Sequence, residues 1–131
     1  MSIAIAIADV AKLMDHYDSR EEEEWARQGM LWARSILGRR VAALFYHPLT
    51  FHLAGESYTP DWMCIFSDGR IAFFEITGSR KHRGYRDARS KLRAAAALFP
   101  CFAFYEAMVT LEPGQMAGCH IEAITLPACP A

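Results

Sequence analysis

The sequence has no apolar run long enough to span a bilayer: Met1–Ala8 and Ala94–Phe99, among its longest, fall far short of the roughly twenty residues required. A transmembrane helix is therefore excluded. The N-terminus lacks the basic stretch of a secretory signal, and Asp9 interrupts its apolar segment, so a cytoplasmic chain is expected. Net charge is nearly absent as well. Fourteen basic and fifteen acidic side chains leave -1, which by itself argues neither for nor against a nucleic-acid partner. The four cysteines, Cys64, Cys101, Cys119 and Cys129, show no CxxC or Cys/His ligand spacing, so a zinc site is not expected. Cys64 and Cys101 sit in strand-like apolar runs and read as small buried hydrophobes. Internal repeats and Gly/Ser linkers are missing. So are a Walker loop, G-x-S-x-G, His-Glu-x-x-His and a dinucleotide fingerprint.

What is present is a core. Of 131 residues, 53% are apolar, with three Trp, five Tyr and eight Phe, which excludes disorder and supports one domain spanning 1–131. The near-neutral total hides an asymmetry. Residues 1–24 carry seven acids and two bases, whereas residues 80–93 carry seven of the fourteen bases against the single acid Asp87. Clustered bases are the footprint of a polyanion site, or else one solvated helix face.

The pattern predicts a helix from an N-cap at Ser19, with Glu22 completing a capping box, to about Leu37, where Gly38 ends it. Trp25, Gly29, Trp32 and Ile36 form its apolar stripe. Glu22 lies one turn before Trp25 on that stripe, where a carboxylate is costly unless something binds it. Strands are expected over Val41–Tyr46, Leu49–Leu53, Tyr58–Phe66, Ile71–Ile76, Cys101–Ala107 and Cys119–Leu126. A second helix is expected from about Gly84 to Phe99, with Tyr85, Ala88, Leu92, Ala95, Ala96 and Phe99 inward. Residues 3–16 read as a short helix for packing or dimer formation. The order α-β-β-β-β-α-β predicts an α/β (α+β) protein with a mixed central sheet flanked by helices.

The chemistry falls on the hairpin. Asp61 opens one strand, Glu75 closes the next, and the Asp-Gly turn at Ser67–Arg70 folds both to the same end of the sheet. Two close carboxylates repel unless a cation lies between them, and Mg²⁺, with Mn²⁺ as the alternative, suits a few carboxylates plus waters. Glu22 from the helix makes three acids from three elements, with Glu23 as the fallback within the run Glu21 to Glu24. Glu21 and Glu24 are expected to be solvated. Such a set fits metal-assisted phosphodiester hydrolysis. His47, just before Pro48, reads first as a packed or surface residue, with entry into the site near Asp61 as the alternative; Trp25, Trp32 and Tyr85 read first as core, and His82 as an aid to phosphate contact.

Tyr58-Thr59-Pro60-Asp61-Trp62 followed by Gly69-Arg70-Ile71-Ala72-Phe73-Phe74-Glu75-Ile76-Thr77-Gly78 resembles the core of the PD-(D/E)xK nucleases, in particular phage resolvase-like endonucleases and the TnsA-type N-terminal nuclease domain. Ser19-Arg20-Glu21-Glu22 is similar to the start of their first helix. His47-Pro48-Leu49 is similar to their Gln-Pro step, and Arg86 to Leu92 to their basic helix. The resemblance covers about 19–107. It implies a restriction-endonuclease-like fold, α-β-β-β-α-β, and Mg²⁺-dependent DNA cleavage, with Asp61, Glu75 and Glu22 holding the metal. The usual Lys two residues after the strand carboxylate is Thr77 here, which brings a hydroxyl and no charge. Lys81 or Lys91 is expected to supply the missing ammonium. Arg80, Lys81, Arg83, Arg86 and Arg89 are expected to contact DNA. Alternatives are a nuclease-fold protein that binds DNA without cutting it, and a protein-binding module that uses the acidic segment 15–24.

Overall fold

The computed structural model describes residues 19–81 and 83–124, so the segment 3–16, His82 and Cys129 lie outside the described residues. Helix α1 (Arg20–Leu37) begins where expected. The Ser19 hydroxyl accepts the Glu22 N–H at 3.1 Å and donates toward Glu22 Oε2 at 3.3 Å. Gly38 ends the helix in the left-handed region (φ 68°), its N–H on the Arg34 carbonyl at 3.0 Å, a conformation that glycine reaches without Cβ strain. The strands are β1 (Val41–Tyr46), β2 (Phe51–Leu53), β3 (Glu56–Tyr58), β4 (Trp62–Phe66) and β5 (Ile71–Thr77). Helix α2 (Tyr85–Leu98), β6 (Ala103–Thr110) and β7 (Gly118–Ala123) complete the described chain.

A five-stranded sheet runs in the order β1-β4-β5-β6-β7, and β2 and β3 form a separate hairpin. Among the described strands only β5 and β6 pair in parallel; their connection passes through α2, as a parallel crossover requires. The other neighbours are antiparallel. The architecture is α/β with a mixed sheet. Helix α1 packs against β1, β5, β6 and β7, while α2 packs against β2, β3, β5 and β6. Strand β5 therefore has both faces covered and reads as the nearly continuous apolar run IAFFEIT. Phe74 and Ile76 join Trp25 and Trp62 in one core. Phe73 joins Leu92, Ala95, Phe104 and Phe51 in the other.

Four sequence expectations shift. The stretch Tyr58–Phe66 is two strands, because Pro60 has no N–H for a ladder and separates β3 from β4. The buried stripe of α1 is Glu22, Trp25, Gly29 and Ala33; Trp32 is half-buried, and Ile36, in the last turn, is exposed. Gly29 is required there because a Cβ would come within 2.8 Å of the Trp25 indole. Cys101 is exposed, since the turn after Pro100 carries it and β6 starts only at Ala103. Glu21 is not simply solvated. It lines the cavity described below, and a Cβ at Gly78 would approach its Oε1 to 2.6 Å.

No helix among the described residues is long and apolar enough to cross a membrane.

Candidate metal centre

The β4–β5 hairpin pairs Trp62 with Phe74, so the residues just outside this pair, Asp61 and Glu75, emerge at the same end of the sheet. The Ile76 N–H donates to Asp61 Oδ2 at 2.8 Å and locks that carboxylate against β5. The N-terminal turn of α1 brings Glu22 to the same end. It is 4% exposed, whereas Glu23 points outward and pairs with Arg27 at 2.8 Å. Glu24 also turns away, contacting Gln28 and Arg27. Glu22, Asp61, Glu75 and Thr77 line one open cavity of about 460 Å³, with Arg83 and Glu106 also on its wall.

Two of these carboxylates, Glu22 and Asp61, are joined by His47 in a group whose ligand atoms lie within 4.8 Å of one another. His47 Nε2 stands 3.9 Å from Glu22 Oε1 and 4.0 Å from Asp61 Oδ1. The sequence left His47 between a packed or surface residue and one entering the site near Asp61; its place beside Asp61 follows from the β1–β4 pairing, in which Tyr46 faces Trp62. Glu75 shares the cavity but stands apart from this group. Its Oε2 accepts a 2.6 Å hydrogen bond from the Tyr58 hydroxyl. The Glu75 carboxyl is pushed up to about 7, chiefly by burial and further by the Glu22 and Glu106 charges, against the opposing pull of the Tyr58 bond and the Lys91 charge. The Tyr58 phenol is raised above its ordinary value, first by burial and then by the Glu75 charge. This set of oxygen and nitrogen donors can hold a divalent cation.

The lysine expectations separate. Lys91 flanks a smaller pocket with Tyr58 and Glu75, and it reaches Asp87 at 3.4 Å. Lys81 is exposed on the loop and is not among the cavity-lining residues. Thr77 lines the cavity, yet its hydroxyl closes a local turn, donating to the Ser79 carbonyl at 3.2 Å and accepting the Ser79 N–H at 3.3 Å.

The basic segment also divides. Arg83 and Arg86 are exposed. Arg89 is largely buried and grips Glu106, with a second guanidinium nitrogen 3.1 Å from Glu122. Arg80 pairs with Glu122 at 2.8 Å and approaches Glu106 at 3.8 Å. The Tyr85 hydroxyl donates to Glu106 Oε2 at 2.7 Å, so this residue is half-buried and polar-bonded rather than purely core. Sequence reasoning missed Glu106. The signal was one carboxylate inside the apolar run of β6, opposite Glu75 in the parallel register and opposite Glu122 in the antiparallel one.

Comparison of the chain with protein-family models, with curated proteins and with solved structures finds no match.

Proposed function

We propose that this chain is a Mg²⁺-dependent DNA endonuclease with a restriction-endonuclease-like core, of the PD-(D/E)xK type. One observation carries the reading: Glu22, Asp61 and Glu75, brought by a helix and two strands, line a single open cavity. When bound, a divalent cation supplies the lowered water pKa and the neutralised phosphate charge that phosphodiester hydrolysis needs. The chain's own part is placement. The Ile76 N–H holds Asp61 Oδ2, so Oδ1 is turned toward His47 and Glu22. The Tyr58 hydroxyl fixes one oxygen of Glu75. Charge of opposite sign beside Glu75 favours its ionised form, so the high proton affinity set by burial is corrected when a cation arrives.

Lys91 is the better candidate for the missing ammonium, because its charge already acts on Glu75. Arg83 on the cavity wall, and exposed Arg86 in the first turn of α2, provide phosphate contacts. The cutting is proposed to be structure-selective or partner-guided.

Thr77 favours a second reading. Its hydroxyl is engaged in a turn and carries no charge, as in a nuclease-fold protein that binds DNA and cuts weakly or not at all. The deciding assay incubates wild type and Asp61→Ala with supercoiled, linear and four-way-junction DNA under Mg²⁺, Mn²⁺ or EDTA. Cleavage that needs the cation and Asp61 supports the first reading. Binding without cleavage under every cation, unrelieved by Thr77→Lys, supports the second.

A further inference from the structure

We propose that Glu22, His47 and Asp61 form a site for a divalent transition cation, with the His47 imidazole as its nitrogen ligand. The inference rests on the reading of Glu22 and Asp61 as cation ligands and adds a donor that changes which cation they select. His47 Nε2 lies 3.9 Å and 4.0 Å from one oxygen of each carboxylate. Both separations exceed hydrogen-bond reach. They suit two atoms that share one ion, since bonds of about 2.0–2.2 Å allow a spread of up to about 4.4 Å. All three ligand atoms fall within 4.8 Å, so a small rotation of a carboxylate closes the set.

The backbone holds the ring in place at a cost. His47 has φ 43°, in the left-handed region, immediately before Pro48, where extended backbone is the rule. Such a conformation is strained and persists only where its surroundings enforce it. Here the His47 N–H donates to the Asp61 carbonyl at 2.9 Å, and the ring stacks on buried Tyr46 with centroids 3.9 Å apart. Backbone bond, ring stack and left-handed turn together direct Nε2 toward Glu22 and Asp61.

Mg²⁺ prefers oxygen ligands and keeps its waters, whereas imidazole favours Zn²⁺, Co²⁺ or Ni²⁺. One nitrogen and two carboxylates leave coordination positions for water, as in open rather than structural sites. The Ile76 bond to Asp61 Oδ2 is the kind of outer contact that orients a ligating carboxylate.

The test titrates the metal-stripped protein, without DNA, with Co²⁺ and separately with Mg²⁺ by calorimetry. Co²⁺ is also followed by visible absorption and by paramagnetically shifted imidazole N–H resonances. Wild type is compared with His47→Asn, which keeps a residue that tolerates left-handed backbone, and with His47→Gln as a second variant in case the first does not fold. One Co²⁺ should bind per chain, more tightly than Mg²⁺, with a shifted imidazole resonance. Either variant should weaken Co²⁺ at least about tenfold, change Mg²⁺ less than about threefold, and remove that resonance. Unchanged Co²⁺ affinity in the variants, or no histidine resonance shifted in wild type, overturns the proposal and leaves His47 an ion-pair partner only. Co²⁺ bound through His47 by a protein that cuts no DNA would end the nuclease reading alone. Mg²⁺-dependent cutting with Co²⁺ indifferent to His47 would end this one alone.

Discussion

Among the described residues two carboxylates are buried, Glu22 at 4% exposure and Glu106 at 3%, and their surroundings are opposite. Glu106 is met by the Arg89 and Arg80 guanidiniums and the Tyr85 hydroxyl, three partners that together tie α2 and its preceding loop to β6. Glu22 has Ser19 and His47 beside it, with Asp61 and Glu75 across the same cavity. A buried carboxylate surrounded by fixed cations is satisfied by the fold. One gathered with other acids and an imidazole is suited to a cation that comes and goes. Burial of charge alone therefore does not mark a functional site; the permanence of the opposing charge separates the two. The same contrast divides the basic segment, since Arg80 and Arg89 are committed to Glu106 and Glu122 while Arg83 and Arg86 face solvent.

The largest expected effect tests the acidic end. Asp61→Asn should lower Mg²⁺-dependent cleavage by about a hundredfold or more while circular dichroism shows a retained fold. Cleavage at the wild-type rate would remove Asp61 from the site. The next contrast is thermodynamic. Glu106→Ala removes one of the two carboxylates that hold Arg89 and the acceptor of the Tyr85 hydroxyl, and should cost about 2 kcal/mol in urea unfolding. Glu22→Gln, measured without metal, should leave stability unchanged or raised, because it takes one charge out of an acidic cluster. Equal losses in both variants would erase the distinction drawn between them.

A smaller effect should appear with pH. Burial raises the folded-state Glu75 carboxyl from its ordinary 4.5 to about 7. A raised carboxyl contributes stability that is complete below the unfolded value and is lost as pH rises through the folded one. In EDTA, wild type should therefore lose stability relative to Glu75→Gln between about pH 4.5 and 7, with the gap constant above that window. A gap that is flat across it would show that Glu75 is ionised throughout. The smallest effect concerns DNA. Replacing Arg83 and Arg86 by Gln should reduce the log–log salt slope of binding by about 0.9 for each lost phosphate contact. Arg89→Gln should lower stability more than it changes that slope, and the reverse ordering would make Arg89 a DNA ligand after all.

Helix α1 was legible because its ends are chemical signals: a Ser19 hydroxyl for an orphan N–H and a Gly38 for a left-handed cap. The β4–β5 hairpin was legible because the Asp-Gly turn sets its register, and that register puts Asp61 and Glu75 at one end. Glu106 escaped notice because its partners come from α2 and its loop, 17 to 26 positions earlier in the chain, and no short pattern records them. His47 stayed undecided because its backbone conformation is imposed by contacts with Asp61 and Tyr46 rather than preferred by its own residue type.

The sequence by itself determined the helix caps, the hairpin turn, the apolar run of β5 and the shared end of Asp61 and Glu75, since each depends on neighbours within one helix or one hairpin. Tertiary structure alone decided which acids receive permanent cations, which arginines remain in solvent, and that a histidine enters the acidic cluster. These outcomes depend on strand pairing and helix docking between distant segments, where burial and opposing charge are set by the whole fold and by no local stretch of chain.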